Sequence, residues 1–228
     1  SNQCEGYAEG GNFCGIRTPY KVYFVAEFDA KAIESGTWKS DKLKPGSTFA
    51  EGGNSGVYFT FDVGKNKNIQ YKIGVSYVSV DNARENLKAE NAEWDFNKIK
   101  EKAESEWNHY LSKIEVEGTN PDRTTQFYTH LYRSFIHPNI CNDVNGEYMG
   151  ADNKVYKTHT RNYTSLSNWD TYRTQIQLLS MLIPNIAPDI VISHQLFAEQ
   201  SGAAYPRWCM ANLATGLISG DPPTIHIP

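Results

Sequence analysis

The first 80 residues alternate apolar and other positions in the manner of β-strands. Every second residue from Tyr20 to Phe28 is apolar, and the same period of two runs through residues 56–63 and 69–80. The polar residues 64–68 (GKNKN) separate the last two runs. Two such runs joined by a short Gly/Asn turn predict an antiparallel hairpin, and three of them predict part of a β-sandwich.

Beyond Asp81 the apolar spacing changes to that of helices. Residues 95–114 carry apolar side chains three or four positions apart, with Glu and Lys between them, and Asp95 is suited to cap the helix. The predicted apolar face consists of Phe96, Ile99, Ala103, Trp107, Tyr110 and Ile114. Residues 118–121 (GTNP) break the chain, and a second helix is predicted over about 122–136.

Two further helices are predicted toward the C-terminus. The third begins near Ser167 or Asn168 and continues to Ile183, because Pro184 follows. The fourth begins near Pro188, a residue suited to a first helical turn. Residues 139–167 show neither pattern, and a loop of that length is usually functional or disordered. Strands followed by helices predict an α+β chain with segregated domains.

Composition limits the class of protein. Hydrophobic residues make up 39% of the chain, which is enough for a packed core. The formal charge of −4 argues against a general nucleic-acid binder, and no apolar run approaches the length of about 18 residues that spans a membrane. The chain starts at Ser1 without Met and stops at Pro228 after an apolar run. We therefore expect a processed or truncated piece of a longer protein.

The four cysteines, Cys4, Cys14, Cys141 and Cys209, are scattered. They form no CxxC pair, which argues against a structural zinc site. Cys4 and Cys14 flank a glycine-rich stretch and are candidates for a disulfide in an oxidising compartment. Residues 162–164 (NYT) form an N-glycosylation sequon at Asn162, which favours a secreted protein.

Residues 142–150 (NDVNGEYMG) are rich in oxygen ligands. Asp143, Asn145 and Glu147 stand at alternate positions and resemble a calcium-binding loop. The spacing does not match an EF-hand, because the required Gly and the final Glu are missing. A tight Asn-Gly turn between short strands is the favoured interpretation.

Residues 167–173 (SNWDTYR) place Trp169, Asp170 and Arg173 in the first turn of the third predicted helix. Asp170 and Arg173 are three positions apart and share one face. A carboxylate and a guanidinium can hold vicinal sugar hydroxyls by charge-assisted bonds, while an indole packs on the sugar ring. The alternative is an acidic helix start paired with its own Arg, with Trp169 in the core. Both interpretations remain open at this point.

Residues 201–208 (SGAAYPRW) follow the fourth predicted helix. Small residues and then Pro-Arg-Trp describe a sharp turn that presents Trp208, although a helix connection with a core Trp would have the same composition. The chain contains no GxSxG, Walker, HExxH or dinucleotide-binding motif.

Seven segments, in order, resemble the family-92 glycoside hydrolases over nearly the whole chain. They are residues 20–28 (YKVYFVAEF), 74–90 (GVSYVSVDNARENLKAE), 94–96 (WDF), 127–138, 143–150 (DVNGEYMG), 169–173 (WDTYR) and 206–208 (PRW) with Ala211-Asn212. The resemblance implies an N-terminal β-sandwich, linking helices and an (α/α)6 barrel. It divides this chain into part of the sandwich (1–85), linker helices (86–118) and the beginning of the barrel (119–228).

The resemblance also implies a secreted exo-α-mannosidase that acts on glycans, requires calcium and inverts the anomeric configuration. An inverting glycosidase uses two carboxylates, which the resemblance places in later barrel segments, so no catalytic residue is assigned in this chain. Calcium ligands are likewise expected mainly outside it. By their place in the motifs, Trp169, Asp170 and Arg173 are the best candidates to bind mannose, and Trp208 is a weaker candidate. The remaining C-terminal part of the same polypeptide is an expected partner.

This sequence departs from the family pattern at two places. Gly202-Ala203-Ala204 replaces a Gly-Gly-Trp/Met sequence before Pro-Arg-Trp, and Leu213-Ala214 replaces Gly followed by Glu or Tyr. Both bear on leaving-group preference and on activity. The alternatives are a non-catalytic carbohydrate-binding protein on the same scaffold and another (α/α)6 sugar hydrolase or phosphorylase.

Overall fold

The structure, a computed structural model, describes residues 2–12, 19–64, 68–202 and 205–220. The chain divides into two compact units: Ser1–Ala8 with Tyr23–Trp94, and Glu9–Val22 with Asp95–Pro228. The predicted domain division at residues 85 and 118 stays a prediction.

Six strands come first along the described chain and form two three-stranded sheets. They are β1 (Gln3–Gly11), β2 (Pro19–Phe28), β3 (Glu34–Lys39), β4 (Lys42–Pro45), β5 (Ser55–Thr60) and β6 (Tyr71–Ser76). The strand orders are β1-β2-β6 and β4-β3-β5. Phe28 of the first sheet lies 5.1 Å, between ring centroids, from both Phe59 and Phe61, so aromatic side chains join the sheets. Strands β1, β3 and β4 were not predicted individually; β4, for example, is exposed throughout and has no buried apolar face.

The predicted hairpin is wrong. β5 pairs with β3, whereas β6 pairs with β2 in a register that sets Phe28 opposite Tyr71. The chain between β5 and β6 therefore passes from one sheet to the other, and residues 65–67 of the predicted turn lie outside the described residues. Alternation shows that a strand exists and which face is apolar, but it does not choose the partner strand.

Helix α1 (Val80–Glu90) packs on β6 and had no counterpart among the predicted helices. Its N-cap, Ser79, accepts a hydrogen bond from the Asn82 N–H. Val25, Ala83 and Leu87 form the buried cluster beneath it. Gly74 allows this packing, because a Cβ there would lie 2.2 Å from the Ala83 carbonyl oxygen.

Two helices of the second unit follow the prediction closely. α2 (Phe96–Leu111) begins after Asp95, whose side chain accepts from the Lys98 N–H as predicted, and it ends three residues before Ile114. α3 (Pro121–Ser134) is capped by Asn120. The two helices touch through aromatic pairs, with Trp107 4.5 Å from Tyr132 and Tyr110 5.8 Å from Phe135.

Residues 139–167 are not a structureless loop. They contain β7 (Asn139–Ile140), β8 (Glu147–Met149), β9 (Val155–Lys157) and β10 (Tyr163–Thr164). β7 pairs with β10 and β8 with β9, both antiparallel. Strands of two or three residues are too short to show an alternating pattern, which is why the sequence concealed them.

The third predicted helix is two helices, α4 (Asn168–Thr171) and α5 (Gln175–Leu182). Thr174, at φ −161° and ψ −25°, interrupts the helical backbone between them. The apolar spacing runs across this break, so the pattern concealed it. A 3₁₀ turn and α6 (Ala187–Ser201) follow, with Pro188 in the first turn of α6 as predicted. Gly202 ends α6 in the left-handed conformation.

Two short strands, β11 (Cys209–Met210) and β12 (Leu213–Ala214), pair at the end of the described chain. The core of the second unit consists of Tyr163, Leu166, Ile176, Leu179, Ile186, Ile190 and Cys209. Of the described helices, none is by itself long and apolar enough to cross a membrane, whereas the bent pair of α5 with residues 184–201 meets the length and composition criteria jointly.

Candidate functional site

α4 is held by its backbone against the Pro-Arg-Trp segment. Ser167 and Trp208 form an antiparallel bridge, the Asn168 N–H donates to the Arg207 carbonyl (2.9 Å), and the Cys209 N–H donates to the Leu166 carbonyl (3.2 Å). These bonds bring together two motifs that the sequence analysis selected separately. A four-residue helix has little stability of its own, so these main-chain bonds determine its position.

Of the four α4 residues, Asn168 and Thr171 are buried, whereas Trp169 and Asp170 face outward. Trp169 is 48% exposed, and Asp170 is exposed and accepts a hydrogen bond from the Ser167 hydroxyl. Trp169 therefore does not lie in the core that the described residues form. Asp170 sits in the first turn, where the backbone N–H groups favour a carboxylate.

Arg173 lies just beyond α4 and is also exposed. Its Nε donates to the Tyr172 hydroxyl (3.0 Å), and its guanidinium lies 5.6 Å from the Tyr172 ring centroid. Within the described residues it makes no ion pair with Asp170. The helix-start ion pair of the alternative interpretation is therefore not formed, and both charged groups reach solvent. We call Trp169, Asp170 and Arg173 the α4 site.

Asn168, directly before the α4 site, is fully buried and bridges three segments. Its Nδ2 donates to the Pro206 carbonyl (2.7 Å), and its Oδ1 lies 2.8 Å from Nε2 of His194 on α6. His194 is also fully buried. The sequence analysis missed this pair, because a His within an apolar helix resembles any other core position.

The Trp208 backbone is fixed on both sides. Its carbonyl accepts from the Thr215 N–H (2.9 Å) and the Thr215 hydroxyl (3.2 Å), and Trp208 itself is half-buried. The Arg207 guanidinium donates to the Ile218 and Gly216 carbonyls and so braces the same turn. Leu213 and Ala214, the second departure from the family pattern, form β12 beside this turn. Ala203 and Ala204, the first departure, lie outside the described residues.

Comparison with known protein families assigns nearly the whole chain. Residues 82–227 match the glycosyl hydrolase family 92 catalytic domain, and residues 1–76 match the glycosyl hydrolase family 92 N-terminal domain. The chain belongs to glycosyl hydrolase family 92. The sequence resemblance is therefore confirmed, and the family-92 assignment makes this chain part of a glycoside hydrolase.

Solved family-92 structures have the same fold. The α-mannosidase BT3965 from Bacteroides thetaiotaomicron is 26% identical with a TM-score of 0.83 over 96% of this chain. The inverting mannosidase BT2199 from the same organism is 27% identical with a TM-score of 0.86 over 97%. This chain covers 30% of each of those chains. The predicted fold class, a sandwich portion followed by linking helices and the first barrel helices, is confirmed.

A curated relative agrees with the glycosidase assignment. The "uncharacterized secreted glycosidase" of Arthroderma benhamiae is 28% identical over 139 residues, which are 54% of this chain and 18% of the relative. The family-92 chain therefore spans less than a third of the length of the relatives named here.

The oxygen-rich segment of the family-92 chain is a turn. The Gly146 N–H donates to the Asp143 carbonyl, and the Glu147 N–H donates to Oδ1 of Asn145 (2.9 Å). Gly146 has φ +87°, a conformation that favours glycine. The favoured turn interpretation agrees with this geometry. The described residues contain no group of three His, Cys, Asp or Glu side chains able to hold a metal ion.

The Asn162 sequon is buried in the fold. Asn162 is 7% exposed, and its carbonyl accepts from the Cys141 N–H. Thr164 is 1% exposed and donates its hydroxyl to the Ala211 carbonyl (2.8 Å). A folded chain therefore cannot present this sequon to a glycosylating enzyme.

The three cysteines in the described part of the chain are free thiols. Cys4, Cys141 and Cys209 form no disulfide with one another. Cys14 lies outside the described residues, so its pairing with Cys4 stays a prediction. Burial raises the pKa of the Cys141 thiol, and burial raises that of Cys209 to about 11. Both are therefore neutral thiols at physiological pH.

Proposed function

We propose that the complete protein is a secreted, calcium-dependent, inverting exo-α-mannosidase that acts on glycans. The observation that carries the proposal is the α4 site: an exposed indole and carboxylate on a helix turn fixed by main-chain bonds to the Trp208 segment, with an exposed guanidinium just beyond it. The family assignment supports glycoside hydrolysis, and two solved relatives are mannosidases by name.

In this proposal the α4 site binds the terminal mannose. The Asp170 carboxylate accepts hydrogen bonds from neighbouring sugar hydroxyls, and the Arg173 guanidinium donates to another. The Trp169 indole packs on the C–H face of the ring, which requires the exposure observed here. Trp208 is the second candidate aromatic contact. Because the backbone positions α4, the sugar meets groups that need little reordering, which favours affinity.

The reaction itself needs an acid that protonates the leaving oxygen and a base that activates water on the opposite face of the ring. We assign both carboxylates, and most calcium ligands, to the part of the protein beyond this chain. Calcium would be held by that part of the protein and would supply a Lewis acid at the sugar site. The residues of this chain contribute binding and orientation of the sugar rather than proton transfer.

The proposal is tested with the full-length protein and a synthetic α-mannoside. Proton NMR of the first product formed should show β-mannose, the sign of inversion, and excess chelator should abolish turnover until calcium is restored. The 228-residue chain alone should not turn over substrate. Retention of configuration, chelator-insensitive rates, or turnover by the short chain would each contradict one part. Sugar binding without hydrolysis would indicate a carbohydrate-binding protein on this scaffold.

A further inference from the structure

Ser167, the residue before α4, stands at a helix N-cap but does not use its side chain as a cap. An N-cap serine ordinarily accepts a hydrogen bond from a backbone N–H in the first turn of its helix. Within the described residues the Ser167 side chain accepts no such bond, and its hydroxyl donates to the Asp170 carboxylate. The hydroxyl is therefore directed to a member of the α4 site rather than to the helix backbone.

The residue before α1 shows the ordinary arrangement at the same spacing. Ser79 accepts from the Asn82 N–H (3.0 Å) and also donates its hydroxyl to Oδ1 of Asn82 (2.8 Å). Ser79 and Ser167 thus both donate to the side chain three positions along, but Ser79 also caps its helix. This difference indicates that the Ser167 hydroxyl contributes little to the formation of α4, whose position depends on main-chain bonds.

The backbone of Ser167 is fixed on both sides. It forms the antiparallel bridge with Trp208, and its carbonyl accepts from the Asp170 N–H and the Thr171 N–H, both at 3.0 Å. Ser167 therefore holds Asp170 at two points, the backbone N–H and the carboxylate. An aspartate held in this way has few rotamers open to it, and the position of its carboxylate is tied to the Trp208 backbone.

We propose that Ser167 is a positioning residue for Asp170 in the α4 site. Its hydroxyl donates to Oδ2 of Asp170, and among the described residues no second donor meets this carboxylate. The other oxygen, Oδ1, is thus available to a hydroxyl of the sugar. The inference rests on the proposed function, because a fixed carboxylate affects catalysis only if Asp170 binds the sugar.

A carboxylate that is fixed before the sugar arrives favours binding. Without the serine hydroxyl, the exposed Asp170 side chain would populate several rotamers, and binding would order it at an entropic cost. The loss of the hydroxyl should therefore lower kcat/KM by roughly 2- to 13-fold, the equivalent of ordering one side chain on association.

The first test does not depend on activity. Crystal structures of the full-length protein should show one Asp170 rotamer in the wild type and more than one in Ser167→Ala. The bridge to Trp208 should persist in both proteins, because it is formed by main-chain atoms. A single Asp170 rotamer, unchanged in Ser167→Ala, would overturn the positioning role.

The second test measures the consequence for catalysis. Ser167→Ala in the full-length enzyme should lower kcat/KM for an α-mannoside by roughly 2- to 13-fold. Ser167→Thr, which keeps the hydroxyl, should retain activity near that of the wild type. In the Asp170→Ala background, Ser167→Ala should cause no further loss, because the hydroxyl acts through that carboxylate. Equal losses in both backgrounds, or a wild-type kcat/KM in a folded Ser167→Ala enzyme, would overturn the proposal.

Ser79→Ala is the matched control, because it removes a serine at the same spacing that does cap its helix. It should lower the melting temperature and leave kcat/KM unchanged, whereas Ser167→Ala should change the melting temperature little. A failure of the proposed function would be seen separately, since the wild-type enzyme would then not hydrolyse α-mannosides. The Asp170 rotamers of the first test would still decide whether Ser167 positions the carboxylate.

Discussion

Ser167 and Trp208 are partners in an antiparallel β-bridge, although they come from motifs well separated in the sequence. The bridge places the residue before α4 beside the residue that follows Pro-Arg. Four groups selected from the sequence, Trp169, Asp170, Arg173 and Trp208, therefore belong to two backbone segments that are hydrogen-bonded to each other. A site formed by two hydrogen-bonded segments keeps the distances between its side chains fixed without depending on one long loop.

Replacing Asp170 tests the α4 site directly. Asp170→Ala in the full-length enzyme should lower kcat/KM for an α-mannoside by roughly 10- to 150-fold, because it removes charge-assisted bonds worth about 1.5–3 kcal/mol. Stability should fall only slightly, since the carboxylate is exposed and, among the described residues, accepts from the Ser167 hydroxyl. Steady-state kinetics and thermal unfolding of the same variant give both values.

Asp122→Ala is the matched control for Asp170, because Asp122 is an exposed acid in the first turn of α3. Its loss should cost at most about 1 kcal/mol of folding free energy and leave the kinetics unchanged. If Asp170→Ala behaves like this control, Asp170 does not bind the sugar.

Gly74 is predicted to be intolerant of any side chain. A Cβ at this position would lie 2.2 Å from the Ala83 carbonyl oxygen and 2.6 Å from the Leu87 Cβ. Gly74→Ala should therefore lower the free energy of unfolding by about 1–3 kcal/mol, as overpacking does. Gly118→Ala is the comparison, because its nearest neighbour, Thr124 Oγ1, is 3.8 Å away. Equal denaturant midpoints for the two variants would contradict the close packing of α1 on β6.

The buried sequon predicts an unmodified Asn162. When the protein is secreted from a eukaryotic host, peptide mass spectrometry of the folded fraction should show Asn162 without glycan. Ile99→Thr creates a sequon at Asn97, which is exposed on α2, and this second site should be occupied. If Asn162 carried a glycan in all of the folded protein, residues 162–164 would not be buried as described.

The Cys209 thiol predicts a loss of stability in alkali. Burial raises its pKa from 9.0 to about 11, so above pH 9 the unfolded chain releases a proton that the folded chain retains. The folded state binds more protons in this window, and its stability therefore falls from pH 9 to pH 11, by ~3 kcal/mol for this group. Denaturant unfolding of wild type and Cys209→Ala across this range should show a shallower decline in the variant. Parallel declines would contradict the shift.

Much of the fold was accessible from the sequence because single elements carry local signals. β2 follows from its alternation, and α2 begins where the Asp95 cap predicts. The pairing of β5 and β6 was not accessible, because Phe28, Phe59 and Phe61 meet across two sheets and that choice is tertiary. The break between α4 and α5 was hidden for a similar reason, since apolar spacing continues through Thr174.

The candidate site, like the fold, could be predicted from the sequence only in part. The residue types and spacing of Trp169, Asp170 and Arg173 predicted a sugar-binding site. The sequence could not show whether Trp169 lies in the core, and this was seen only from its exposure in the structure. His194 carried no signal, because its significance comes from Asn168 and Pro206, which are distant in sequence. A sequence pattern reflects the environment of one segment, whereas the hydrogen bonds of this pair join three segments that are distant in sequence.

The ties between α4 and the Pro-Arg-Trp segment run largely through main-chain atoms, and this has a consequence for how such a site can diversify. A carbonyl or N–H is present whatever side chain the residue carries, so the bonds at positions 207 and 209 that hold α4 do not themselves specify those side chains. Leu213 and Ala214 meet Met210 and Cys209 through backbone pairing in the same manner. If the α4 site binds the terminal sugar as proposed, substitutions at the exposed Ala214 should therefore change leaving-group preference and leave the α4 site in place.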